Sequence, residues 1–354
     1  MRIVRRLYLK DFFRLLVLIT LGLAFIFSLI EMIGRLDDFG TGRGAFAKLV
    51  LYTAFTIPKF LLYLLPMSVL VCSLFTFSQA FRRGEITAIR AAGGQLRKLA
   101  LPFVTAGVLL SLFSFVIGEF LVPDFGTRAA DLKAGMEGKG RQALYKEGVI
   151  WLKAKDGSPV RIDFYAPEEK TAKGMTIFLF GNEFLKATIA AQTAVWNGSA
   201  WKLTGVVKSD FETGVTKKFS SMAYADLDSP DVFTSDLKSP NEMGIVELSR
   251  YIKRLKNAGF SNTKLSVDLQ SKISFPLINA FMMLLGLSLA MRGRMTGGLV
   301  TAGLGLLISL FYWLGYTFTL SLGYAGILPA LAAAWITPCA FGGLALYLFK
   351  QMPE

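Results

Sequence analysis

Apolar positions along this chain gather into two groups of three long runs, with residues 122–272 between them. The runs are Phe12–Ile33, Phe60–Ala80, Leu99–Leu121, Ile273–Met291, Leu299–Leu320 and Ile327–Phe349. A helix needs about 20 apolar residues to cross a hydrocarbon core of roughly 30 Å, and each run meets that length. Their interiors are almost free of charge. The pattern predicts a polytopic α-helical membrane protein with six transmembrane helices, three on each side of an inserted domain. Transport, anchoring and intramembrane chemistry are the functions such a layout serves.

Between the triplets the period changes. Gly148–Lys155 and Val160–Tyr165 flank the turn residues Asp156-Gly157-Ser158-Pro159, and Thr176–Phe180 and Phe184–Ala191 flank Gly181-Asn182-Glu183. Ala187–Trp196 and Trp201–Lys208 flank Asn197-Gly198, a strong hairpin signal. Val215–Ala225 follows Thr213-Gly214. Short strands at this spacing predict a β-sandwich or jelly roll. Such a domain holds an acyl chain, accepts a partner's strand, or serves as a folded spacer. Helical spacing returns in Ile245, Leu248, Ile252 and Leu255, with Arg250, Lys253, Arg254 and Lys256 on other faces and Gly259 as a stop. This reads as an amphipathic helix at the outer membrane–water boundary. The expected organisation is residues 1–122 for the first three spans, 123–262 for the β domain and following helix, and 263–354 for the last three spans.

Charge gives the topology. Arg2, Arg5, Arg6, Lys10 and Arg14 precede the first span, and Arg82, Arg83, Arg90, Arg97 and Lys98 follow the second. Arg292 and Arg294 follow the fourth, whereas Ser321–Gly326 carries no charge. Basic loops stay in the cytoplasm, so both termini are expected inside and the β domain outside. Residues 122–272 hold 22 Lys and Arg against 18 Asp and Glu, so most of the net +14 lies in the cytoplasmic loops. Topology and affinity for anionic lipid account for that charge, and no nucleic acid is called for. The first run is too long for a signal peptide, and no small-residue cleavage site follows Glu31-Met32-Ile33-Gly34. Cys72 and Cys339 both fall inside spans, so the β domain has no disulfide, and the chain has no His. Gly138-Lys139-Gly140 lacks the earlier glycine of a Walker A loop, and no Gly-x-Ser-x-Gly or His-Glu-x-x-His occurs. The expectation is a non-enzymatic subunit with no metal and no cofactor of its own.

One basic loop has its own pattern. Glu85 to Ala92 fits a short helix ended by Gly93-Gly94, with Ile86, Ile89 and Ala92 as an apolar stripe and Arg90 on another face. A carboxylate at the positive end of a helix dipole suits a partner's basic residue. The other reading is a basic loop whose charge only fixes topology.

Gly84-Glu85-Ile86-Thr87-Ala88-Ile89-Arg90-Ala91-Ala92-Gly93 resembles the coupling helix of the LptF/LptG family, the paired permeases of the lipopolysaccharide exporter. Thr56-Ile57-Pro58-Lys59 with Leu65-Pro66-Met67 resembles the family's second span, and Gly118-Glu119-Phe120-Leu121-Val122-Pro123 the exit of its third. Tyr251–Gly259 and Lys272-Ile273-Ser274-Phe275-Pro276-Leu277 resemble the approach to the fourth, in their LptG form more than the LptF one. The resemblance covers nearly the whole chain. It implies an ABC export permease in the inner membrane of a Gram-negative bacterium. Its partners would be a sister permease LptF, a cytoplasmic ATPase dimer LptB that uses the ATP, and the single-span LptC. The substrate would be lipopolysaccharide, passed to a periplasmic bridge of jelly-roll domains. Glu85, Ile86, Ile89 and Arg90 would then be the ATPase contact.

Lipid A would need cations above an apolar cavity. Lys59 matches the family's Pro-Lys, while Arg128 and Lys133 lie just past the third span and Arg35 just past the first. Phe25, Leu29 and Phe60 would line the cavity. Each cation singly also reads as an interfacial side chain reaching for water. Near the end of the first span this chain has Glu31, Asp37 and Asp38 where the family pattern leads one to expect basic residues. Two rival functions are a membrane-anchored assembly factor, for which one span would suffice, and a permease for another lipid or a lipoprotein. A secondary transporter would need charged or broken helices in mid-membrane.

Overall fold

A peptide group in hydrocarbon has no water to bond, so the apolar runs close their hydrogen bonds within helices. The computed structural model describes residues 2–35, 45–136, 143–146, 149–166, 169–180, 184–211, 213–230, 240–257, 262–291 and 298–351. Among them, six helices are long and apolar enough to cross a membrane. The sequence-predicted features Asp37, Asp38, Gly138-Lys139-Gly140, Gly181-Asn182-Glu183, Gly259, Arg292 and Arg294 lie outside the described residues.

The helices are α1 (Arg2–Gly34), α2 (Ala45–Arg82), α3 (Glu85–Ala91), α4 (Leu96–Val116), α5 (Val122–Met136), α6 (Ile245–Asn257), α7 (Thr263–Ala290), α8 (Gly298–Tyr324) and α9 (Ala330–Lys350). A π-helical turn, Ile117–Leu121, joins α4 to α5. α2 begins well before the apolar run that announced it, because its first turns carry Lys48, Thr53, Thr56 and Pro58. Their hydroxyls stay within the helix: Thr53 Oγ1 donates to the Leu49 carbonyl at 2.9 Å and Thr56 Oγ1 to that of Thr53 at 2.8 Å.

The chain divides into two compact units. The membrane unit is Met1–Ala130, Asn241–Ile245 and Thr263–Glu354. Its core runs through α2, α4 and α7, with Val69, Leu70, Phe77, Phe103, Met282, Met283 and Leu287 all buried. Small residues let these helices approach. A methyl group at Gly286 of α7 would lie 1.8 Å from Ser73 Oγ and 3.2 Å from the Leu70 carbonyl of α2. One at Gly107 of α4 would lie 2.8 Å from the Met283 Cβ of α7. Helices in lipid associate through such close contact rather than through a hydrophobic drive.

The second unit comprises Asp131–Pro240 and Val246–Asn262. It holds one antiparallel sheet whose strands follow in sequence order. They are β1 (Ala143–Lys146), β2 (Val149–Lys153), β3 (Pro159–Ala166), β4 (Thr171–Phe180), β5 (Leu185–Trp196), β6 (Trp201–Asp210) and β7 (Thr216–Tyr224). The β domain is therefore present as expected, and its strand order is that of a meander. The Greek-key crossovers that define a strict jelly roll do not occur among the described strands. The Asn197-Gly198 hairpin also forms, with Asn197 Oδ1 accepting from the backbone N–H groups of Ser199 at 3.1 Å and Ala200 at 2.8 Å.

The sheet folds along a crease. Gly174 in β4 and Gly205 in β6 have φ of +65°, a region costly for residues with a Cβ. Asp163 of β3 and Gln192 of β5 crowd the sites where their side chains would be. Burial alternation slips by one residue at each. In β4 Ala172 is buried before the crease and Met175 and Ile177 after it; in β6 Trp201 and Leu203 come before it and Val206 after. One sheet thereby wraps a single core containing Ile162, Met175, Ile189, Trp201 and Leu203.

The apolar stripe of α6 meets protein. Its residues from Val246 onward group with the β domain, Leu248 and Leu255 are buried, and the Tyr251 ring lies 6.2 Å from that of Phe164 on β3. The apolar stripe reads the same for a helix on a membrane or on a protein; here it is covered by protein.

Because the Gly286 contact has no room for a methyl group, Gly286→Ala is expected to cost about 1–3 kcal/mol by overpacking. Gly343→Ala, at a site with nothing within 4 Å, is expected to be silent. Thermal unfolding of the detergent-solubilised protein checks this, and equal midpoints for the two variants would refute the close packing.

Candidate functional sites

α3 is a separate helix because glycine interrupts the chain on both sides of it. Gly84, at φ +72°, turns the backbone after α2, and its N–H bonds the Phe81 carbonyl at 2.9 Å. At the other end the Gly93 N–H bonds the Arg90 carbonyl at 2.9 Å and the Gly94 N–H bonds that of Ile89 at 2.8 Å. This pair of bonds, with Gly93 left-handed at φ +73°, is a Schellman stop.

The four coupling candidates then separate by burial. Ile86 is 0 % exposed and belongs to the membrane unit's core with Phe77, Leu96 and Leu99. It fastens α3 down and is not on the surface offered to a partner, which corrects its sequence-based role. Ile89 is half-buried, while Thr87, Ala88, Arg90 and Ala91 are exposed. Glu85 accepts a hydrogen bond from Tyr8 Oη of α1, and its Oε1 lies 3.9 Å from Arg83 Nη1. Around that carboxylate is a cavity of about 480 Å³ whose walls include Tyr8, Asp11, Arg14, Gln79 and Arg83. Sequence reasoning did not find Tyr8. Its only signal was a tyrosine in a basic leader, and the contact joins residues 77 apart.

Lys59 lies 23 residues before Arg82 on α2, about 34 Å away along the helix axis. It lines a cleft of mixed character, with Asp268, Lys272, Tyr316 and Tyr324 beside apolar residues such as Leu62, Phe115 and Leu320. Tyr324 Oη donates to Asp268 Oδ1 at 2.6 Å. Lys272 is thus a second cation in the same cleft, read in the sequence only as part of the approach to a span. Glu119, in the π turn, caps the start of α6 by accepting the Ile245 N–H at 2.5 Å.

Arg35 and Arg128 are not among the residues that line the Lys59 cleft. Arg128 pairs with Asp124 one helical turn away at 3.0 Å and lies over the Phe125 ring. Arg35 pairs with Glu31 at 3.1 Å and lies over the Tyr52 ring at 5.1 Å. Glu31 therefore answers a cation of its own helix. Lys133 falls in the unit that holds the β domain.

An apolar cavity of about 730 Å³ lies among α1, α2, α7 and α8. Phe60 lines it, with Met67, Met282, Leu306 and Trp313. α1 contributes Phe27; Phe25 and Leu29 are not among the lining residues. At 100° per residue, positions 25 and 29 present different faces from 27, and the sequence pattern of an all-apolar helix cannot select among them. Tyr63 and Phe275, with rings 5.3 Å apart, line both this cavity and the cleft that holds Lys59 and Lys272. The two compartments share a wall.

Residues 6–351 match the model of the family described as lipopolysaccharide export system permease LptF/LptG. The chain is 26% identical to the lipopolysaccharide export system permease protein LptG of Escherichia coli (strain K12), over 97% of this chain and 96% of that protein. It is 24% identical to the protein of the same name from Haemophilus influenzae, over 78% of this chain and 79% of that one.

The burial of α3 gives a direct expectation. Ile86→Ala should cost about 2–5 kcal/mol, as large-to-small core changes do. Arg90→Ala, on the exposed face, should stay within about 0.5 kcal/mol. Thermal unfolding in detergent distinguishes them, and a silent Ile86→Ala would overturn the anchoring role.

Proposed function

Because the chain belongs to the LptF/LptG family of lipopolysaccharide export system permeases, we propose that it acts as one permease subunit of an ABC exporter. It takes lipopolysaccharide from the inner membrane and passes it toward a periplasmic bridge. It is a multi-pass membrane protein whose basic loops keep both termini in the cytoplasm and the β domain in the periplasm. A sister permease of the same layout, LptF, completes the pathway, a single-span LptC joins it, and a cytoplasmic LptB dimer hydrolyses the ATP.

The observation that carries this reading is the shared wall at Tyr63 and Phe275. A site with Lys59 and Lys272 on one side and an apolar cavity on the other suits a molecule with phosphates above acyl chains. α3 supports the second half of the reading. A short, firmly anchored helix with exposed Arg90 and the Glu85 carboxylate at its start is suited to a basic groove on an ATPase. The β domain supports the third. Phe180, Phe184 and Phe211, at one end of the sheet, are exposed, and β7 is an edge strand exposed from Thr216 to Ser221. Such an end receives an acyl chain, and such an edge pairs with another β domain.

Glu85→Lys is expected to leave the chain folded in the membrane and to reduce the ATPase recovered with it, since an interfacial charge without its partner costs about 2–5 kcal/mol. Normal recovery of ATPase and normal export would refute the coupling role of α3. Lys59→Glu combined with Lys272→Glu is expected to lower the lipopolysaccharide copurified with the complex while sparing assembly. Mass spectrometry of bound lipid reads the result, and full occupancy would move the phosphate site to the sister permease.

A further inference from the structure

Glu85 is the first residue of a seven-residue helix that has no side-chain cap. A glutamate there has free rotors, yet its carboxylate is held. The holder is Tyr8, from the opposite end of the first half of the chain, whose hydroxyl donates to Glu85 Oε2. Tyr8 is itself fixed: it is 6 % exposed, part of the core cluster with Phe12 and Phe77, and its ring lies 6.0 Å from that of Phe77. A hydroxyl on an immobile ring is a directed donor. A carboxylate offers about four acceptor positions, and this bond uses one of them. Arg83, at 3.9 Å and mostly exposed, adds charge and little direction.

We infer that Tyr8 is the positioning residue for the coupling carboxylate: its hydroxyl sets the Glu85 rotamer before the ATPase arrives. The inference rests on the reading of α3 as the ATPase contact. Ile86 fixes where α3 sits, and Tyr8 fixes where its charge points. Ordering one rotamer-rich side chain ahead of docking removes that cost from the binding step, an effect equivalent to about three- to tenfold in affinity. A charge-assisted bond from a phenol suits the task, because it leaves the anion's charge in place for the partner.

The test uses the assembled permease pair in detergent, with the purified ATPase titrated onto it. Tyr8→Phe keeps the ring against Phe77 and removes only the hydroxyl. Apparent affinity for the ATPase is expected to fall about three- to tenfold, with the thermal midpoint of the permease unchanged. In a Glu85→Ala background, Tyr8→Phe should have no further effect, since there is no carboxylate left to aim. If Glu85→Ala weakens binding and Tyr8→Phe does not, the positioning role is wrong and the ATPase reading of α3 stands. If Tyr8→Phe weakens binding equally in both backgrounds, it acts through the fold of α1, and the positioning role is again wrong. If Glu85→Ala itself binds the ATPase normally, the reading of α3 falls and this inference with it.

Discussion

α7 lies against α2 at this distance because residue 286 has no side chain, and most of the membrane unit is arranged around α7. Gly107 of α4 abuts Met283 of α7, and a methyl group at Gly342 of α9 would lie 3.0 Å from the Phe281 ring of α7. Lipid tails are as apolar as leucine, so nothing presses these helices together as water presses a soluble core. What remains is contact distance, and glycine sets it. α1 is largely exposed within the unit and its Gly22 and Gly34 meet nothing within 4 Å, whereas α8 comes close to α2 at Gly305, beside Val71, and to α9 at Gly323, beside Ala333.

From this arrangement α2 acquires a double duty. One helix carries Lys59 and Tyr63 at the cleft, and its end delivers the chain into α3. Pro66 lies on the stretch between and Pro58 just before Lys59, each removing a backbone donor from the helix. The cleft and the coupling helix are therefore joined by continuous backbone, not by a chain of side-chain contacts. The Tyr8–Glu85 bond adds α1 to that connection.

Much of this was legible in the sequence, for physical reasons that can be named. Six apolar runs mark six spans because hydrocarbon thickness fixes their length. Gly84 and Gly93-Gly94 mark the ends of α3 because few other residues make those turns. What the sequence hid was contact across distance. Nothing near Tyr8 points to Glu85, and nothing near Lys272 points to Lys59. The crease was hidden differently: Gly174 and Gly205 interrupt strands whose alternation resumes one residue out of phase, so the run read for β4 starts only at Thr176 and the run read across Gly205 shows no bend. What α6 packs against was hidden too, because an apolar stripe does not name what covers it.

On the proposed reading, the aromatic wall of Tyr63 and Phe275 divides one binding region into two rooms, one holding Lys59 and Lys272 and the other apolar. A sugar phosphate would then use only the first, and a hydrocarbon chain without a charged head only the second. A molecule with both parts covalently joined uses the two together, because occupancy of one room raises the effective concentration at the other. Selectivity of this kind needs no exceptional affinity in either room. It measures how far along a molecule polarity gives way to hydrocarbon, so the discriminating quantity is a length set by two rings.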